Sequence, residues 1–104
     1  MSTYLLAHRA PRDYRGSPEA MAAWNAWFEQ LGPNLVDRGN PVFNRATLGA
    51  ATSDTNLGGY TLIEADDLAA AVKLAEGCPM VGWGGGVEVG ELMVLNAGRG
   101  PAPA

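Results

Sequence analysis

The sequence contains only one cysteine, Cys78, and only one histidine, His8. A single cysteine excludes a disulfide within the chain and is typical of proteins kept in a reducing compartment. A single histidine excludes a metal centre built from several imidazoles. No segment has the carboxylate spacing of an EF-hand loop. We therefore expect neither a metal nor a cofactor.

Basic residues are also few, since seven Lys and Arg stand against eleven Asp and Glu and give a net charge of −4. The positive residues form no run, which disfavours nucleic-acid binding. No apolar stretch approaches the roughly 20 residues that a membrane-spanning helix needs, and no basic segment precedes an apolar run near Met1. These absences predict a cytoplasmic protein. A length of 104 residues fits one domain, which we place at residues 4–95, followed by a flexible tail at 96–104.

The first part of the chain predicts a strand followed by a helix. The apolar run Tyr4–His8 is typical of a strand that is buried on both faces. Ser17 can cap a helix that begins at Pro18, and Gly32 followed by Pro33 ends it. The helix carries an apolar stripe at helical spacing, which predicts core residues: Met21, Trp24, Trp27, Phe28 and Leu31.

The second part predicts a strand, a helix and a strand. Tyr60–Glu64 is rich in β-forming residues, and Asp66 or Asp67 can cap the helix that follows. Val87–Leu95 is the last predicted strand. Between residues 34 and 56 the pattern is weak, although Arg45–Leu48 could form a further strand. The apolar face predicted for the second helix consists of Leu68, Ala71, Val72 and Ala75.

This order of elements predicts the α+β class, with a ferredoxin-like βαββαβ unit in which both helices cover one face of an antiparallel sheet. In the first strand, Tyr4 and Leu6 point to one face while Leu5 and Ala7 point to the other. The helices cannot cover both faces. We therefore expect a homodimer whose two sheets pack face to face and form a dimeric α+β barrel.

Three segments carry a family resemblance: Gly59–Leu68, Ala71–Pro79 and Gly85–Val89. They resemble the YCII-related family, also called the DGPF-domain group, and the resemblance extends over about residues 4–95. It implies a ferredoxin-like fold that dimerises as an α+β barrel. It implies no particular activity.

His8 is the one side chain whose ordinary pKa lies near neutrality, so it is the candidate acid or base. It shares strand parity with Tyr4 and Leu6, which directs it toward one packed face. A histidine without a catalytic role, partly exposed or held by a hydrogen bond, is the more common case. In that role we expect a pKa near the ordinary value of about 6.5.

Several other residues have the chemistry or the position of a site residue. Cys78 follows the second predicted helix and is interpreted as a small buried apolar residue. The glycines of Gly82–Gly86 follow a helix and precede a strand, the reverse of a phosphate-binding loop, and so favour a tight turn or a bulge. Four residues are pocket candidates because they combine a charge or a large ring with a strand or loop position: Asp54, Glu64, Trp83 and Glu88.

Two functions remain open. The first is a non-catalytic dimeric binding or accessory module for a small molecule or another protein. The second is a cofactor-free enzyme that acts on a small organic acid or aromatic, with His8 as acid or base and a carboxylate beside it. Some enzymatic relatives in the resembled family use a histidine–aspartate pair whose histidine lies near the first helix, where this chain has no histidine. The first function is therefore favoured.

Overall fold

The computed structural model describes residues 1–51 and 54–95. The predicted tail at 96–104 lies outside these ranges. The sheet contains four strands in the order β2-β3-β1-β4, and every neighbouring pair is antiparallel. Its strands are β1 (Ser2–Pro11), β2 (Leu35–Asp37), β3 (Thr55–Ala65) and β4 (Gly86–Glu91). The helices are α1 (Pro18–Leu31), α2 (Leu68–Ala75) and the short α3 (Pro79–Gly82), and a 3₁₀ turn spans Gly32–Asn34. The α+β class and the ferredoxin-like pattern are confirmed.

Both long helices begin at the predicted caps. The Ser17 hydroxyl accepts from the Ala20 N–H at 3.0 Å, and the Asp67 carboxylate accepts from the Ala70 N–H at 2.8 Å. Each bond satisfies a donor that the first helical turn leaves free. Side-chain caps are local sequence features, which explains why both helix starts were predictable.

The core lies between the helices and one face of the sheet. In β1, every second residue from Tyr4 to Ala10 is buried, as the alternation of a strand with one covered face requires. The helices contribute mainly Trp27, Leu31 and the small Ala71 and Ala75. The opposite sheet face carries partly exposed apolar residues, including Leu5, Ala7 and Leu62.

Three features of the predicted pattern differ from the structure. Arg45–Leu48 does not form a strand, and the second strand of the sheet is instead the three-residue Leu35–Asp37. The last strand ends at Glu91, and Leu92–Leu95 is exposed and lies outside the sheet. Three predicted core positions on the helices are exposed: Met21, Leu68 and Val72. The stripe of residues that each helix buries is narrower than the stripe of apolar residues on its surface.

Two glycines are required by close backbone approach. Gly39 has a φ of 76°, and a Cβ there would lie 1.7 Å from the Tyr60 carbonyl oxygen. Gly85 also lies tightly against β1, since a Cβ would be 2.1 Å from the Arg9 carbonyl oxygen. Gly39 therefore lets the segment after β2 lie against β3, and Gly85 lets the predicted glycine-rich turn enter the sheet.

Candidate functional site

A large open cavity of about 750 Å³ lies at one end of the sheet, where β1 ends and β3 begins. It is bounded by the loop after β1, by α1 and by the segment that follows β2. Its volume is typical of a small-molecule site. Four lining residues are buried, and we call them the cavity floor: His8, Ala10, Thr61 and Met80.

His8 and Thr61 are the two polar residues of the floor, and His8 is only 5% exposed. Its Nε2 lies 2.8 Å from the Thr61 hydroxyl oxygen, and that hydroxyl donates to the Arg38 carbonyl oxygen at 3.0 Å. Because the single hydroxyl proton points to Arg38, the Thr61 oxygen accepts from His8, and Nε2 carries the proton. The other ring nitrogen, Nδ1, is therefore the acceptor in the neutral imidazole.

Cys78 contacts that second nitrogen. Its Sγ lies 3.5 Å from His8 Nδ1, and burial raises the pKa of the Cys78 thiol. The thiol thus keeps its proton and donates it weakly to Nδ1. The predicted burial of Cys78 is observed, but the residue is also a polar partner of His8. It occupies the residue position just before α3, without a capping bond from its side chain, and lies three residues beyond the end of α2.

Aromatic rings enclose the rest of the imidazole. The rings of Trp24 and Trp27 meet it edge to face, at centroid distances of 5.0 Å and 5.7 Å. This environment stabilises the neutral ring, and burial lowers the pKa of His8 to about 4. The expectation of a pKa near 6.5 is therefore wrong. The pKa of His8 is lowered by desolvation and not by a neighbouring charge.

The cavity wall is aromatic and positively charged. Five rings line it: Tyr14, Trp24, Phe28, Phe43 and Tyr60. Four arginines also line it, all of them exposed, and we call them the arginine rim: Arg12, Arg15, Arg38 and Arg45. Trp24, which the helical stripe assigned to the core, is partly exposed here, while Trp27 is the fully packed ring of α1.

Of the predicted site residues, His8 alone lines this cavity. Glu64 and Glu88 pair across the sheet with Thr3 and Ala7, on the face away from the helices. Asp54 is exposed just before β3. Trp83 stacks against Tyr14 at 6.1 Å between ring centroids and lines a second hollow of about 300 Å³, which shares Tyr14 and Arg15 with the cavity.

The carboxylate required by the catalytic hypothesis is not beside His8 in the part of the chain that the structure describes. The two ring nitrogens contact Thr61 and Cys78 instead. Residues 1–51 and 54–95 also contain no cluster of three or more metal-binding side chains. No helix in these ranges is long and apolar enough to cross a membrane.

The chain belongs to the YCII-related domain family, whose model matches residues 1–96. Its fold is similar to that of 5-chloro-2-hydroxyhydroquinone dehydrochlorinase (TftG) from Burkholderia phenoliruptrix AC1100, solved in complex with 2,5-dihydroxybenzoquinone. The TM-score is 0.58 at 22% sequence identity, over 88% of this chain and 93% of that chain. At this identity the likeness establishes the fold. The comparison with curated proteins gives no match.

Proposed function

We propose that the chain is a binding module that takes a small aromatic molecule into the cavity above His8. The observation that carries the proposal is the lining itself, in which five aromatic rings surround a floor with one polar, neutral imidazole. Aromatic side chains bind a planar ligand through apolar area and ring stacking. Both nitrogens of His8 already have protein partners, which favours a structural role for this histidine over proton transfer.

Binding can be tested by NMR titration with 2,5-dihydroxybenzoquinone, the ligand bound in the TftG structure. We expect the His8 ring and Trp24 indole signals to shift while those of Trp83 do not. Phe43 lines the cavity and is 91% exposed, so Phe43→Ala removes a ligand contact without opening the core. We expect binding about two- to tenfold weaker, the value of one aromatic contact.

Leu48→Ala is the matched control, because Leu48 is an exposed apolar residue of the same loop that does not line the cavity. It should bind as the wild type does. Unmoved His8 and Trp24 signals, or equal weakening in both variants, would contradict the proposed site.

A cofactor-free enzyme that acts on a small organic acid or aromatic is the second candidate. The observation that favours it is the fold similarity to a dehydrochlorinase. A His8 pKa of about 4 makes the imidazole a weak base near neutrality and does not itself favour proton transfer. If the wild type consumes 2,5-dihydroxybenzoquinone and His8→Gln does not, the enzymatic function takes first place.

We also propose a homodimer, as in the dimeric α+β barrel implied by the sequence. Leu5 pairs with Leu62 on the sheet face that no helix covers, and covering this face with a second copy removes apolar area from water. Sedimentation equilibrium should give twice the chain mass at micromolar concentration, and Leu62→Glu should give a folded monomer. A wild-type chain that is folded and monomeric would contradict the dimer.

A further inference from the structure

The positive charges of the described chain are concentrated at the cavity. The chain has seven Lys and Arg, and all but Arg99 lie within residues 1–51 and 54–95. Four of those six form the arginine rim. Each of the eleven Asp and Glu residues lies in the described ranges, and none lines the cavity. A protein of net charge −4 thus presents a positive site.

Hydrogen bonds hold three rim arginines without neutralising them. Arg15 Nη1 donates to the Tyr14 carbonyl oxygen at 3.1 Å, and Arg45 Nη1 donates to that of Val42 at 2.8 Å. Arg38 Nη2 donates to the Asn25 amide oxygen at 2.6 Å. These acceptors are uncharged. They position the guanidinium groups and leave their positive charge available to an anion.

Two carboxylates are adjacent in sequence to rim arginines, Asp13 after Arg12 and Asp37 before Arg38, and neither lines the cavity. The Asp37 Oδ1 accepts from the Gly39 N–H at 2.8 Å. That bond closes the turn whose glycine must lie against Tyr60. The side chain is therefore committed to the loop that carries Arg38.

Arg38 also joins the charged rim to the aromatic wall. Its guanidinium carbon lies 4.5 Å from the centre of the Phe28 ring, a cation–π geometry. An aromatic molecule that contacts Phe28 thus places a ring substituent within reach of a guanidinium group. Guanidinium geometry matches that of a carboxylate.

We infer that the cavity selects aromatic carboxylates over uncharged aromatics of the same shape. This inference rests on the proposed function, because it names the ligand class of the same cavity. The arginine rim supplies the charge preference, and the aromatic wall supplies the preference for a ring.

The test compares benzoate with benzamide, which has the same ring and nearly the same shape but no charge. Calorimetric or NMR titrations of the full chain should give tighter binding of benzoate at low salt. The preference should shrink as ionic strength rises, because the rim is exposed and its field is screened within about 8–10 Å at physiological salt. Benzamide binding should not depend on salt.

Arg15→Gln and Arg45→Gln test the rim itself. Each should weaken benzoate binding by roughly two- to fivefold, as expected for one exposed charge pair, and leave benzamide binding unchanged. Lys73→Gln makes the same change in net charge at an exposed position of α2 outside the cavity, and should bind both probes as the wild type does.

The outcomes separate this inference from the function on which it rests. If benzoate and benzamide bind equally well and the arginine variants bind them as the wild type does, the charge selectivity is overturned and the aromatic site remains. Equal weakening by Lys73→Gln would mean that overall charge acts in place of the rim, and would also overturn it. Failure of both probes to bind would contradict the proposed function and this inference together.

Discussion

Trp27→Ala is expected to lower the free energy of unfolding by about 3–5 kcal/mol, the usual cost of truncating a buried aromatic. Trp27 is 2% exposed, and its Nε1 donates to the Leu74 carbonyl oxygen at 3.1 Å. The substitution therefore leaves a void between α1 and the sheet and removes the partner of a carbonyl at the end of α2. Urea denaturation at fixed protein concentration measures the loss.

Two further variants keep this prediction decisive if Trp27→Ala does not fold. Trp27→Phe preserves a ring but lacks the N–H, and should cost about 1–2 kcal/mol. Trp83→Ala removes an indole that is 38% exposed and stacks on Tyr14, and should cost about 1 kcal/mol or less. A loss for Trp83→Ala as large as that for Trp27→Ala would mean that Trp83 is buried in an interface.

The second large effect is the dependence of stability on pH through His8. Its pKa is lowered from 6.5 to about 4 in the folded chain, so the unfolded chain binds more protons between these values. Stability then rises with pH across this window and is fully present above pH 6.5. A shift of this size corresponds to a contribution on the order of 3 kcal/mol, which is lost as pH falls from 6.5 toward 4.

His8→Gln isolates this contribution from that of the carboxylates, which titrate in both proteins. Glutamine retains a hydrogen-bonding amide that can reach Thr61 but does not titrate. Urea midpoints measured from pH 4 to pH 8 should show a steeper acid loss for the wild type, with the two curves parallel above pH 6.5. Curves that stay parallel down to pH 4 would mean that His8 is solvated and that its environment differs from the one described.

The parts of the fold that could be predicted are those with local signals. The cap residues Ser17 and Asp67 fix both helix starts, and strict alternation in β1 fixes which side chains face the helices. This parity alone predicts that His8 lies on the packed face. β2 could not be predicted, because three residues show no period.

The cavity wall depends on contacts that are distant in sequence. The segment after β2 is held by the Asn40 side chain on the Tyr60 hydroxyl at 3.1 Å and by the Val42 N–H on the Gly58 carbonyl oxygen at 3.0 Å. These contacts bring Arg38 and Arg45 to the cavity. The scattered positions of the basic residues along the chain therefore do not indicate that they converge at one site. Strand parity does indicate the position of Glu64. Because Ile63 faces the helices and successive side chains of a strand alternate, Glu64 points away from the helix-covered face.

The contact between Cys78 and His8 was likewise outside the reach of sequence patterns, because 70 positions separate the two residues. Cys78 has the burial of an apolar residue, and nothing local to it indicates a polar partner. Its role in holding the neutral imidazole emerges only when α3 packs beside β1.

The central claim is that the cavity above His8 receives an aromatic ligand, and a crystal structure of the protein with benzoate tests it most directly. We predict the benzoate ring against Phe28 and Phe43, with its carboxylate at the arginine rim and His8 still bonded to Thr61. A benzoate ring bound instead in the hollow between Tyr14 and Trp83, with the cavity above His8 empty, would contradict the claim.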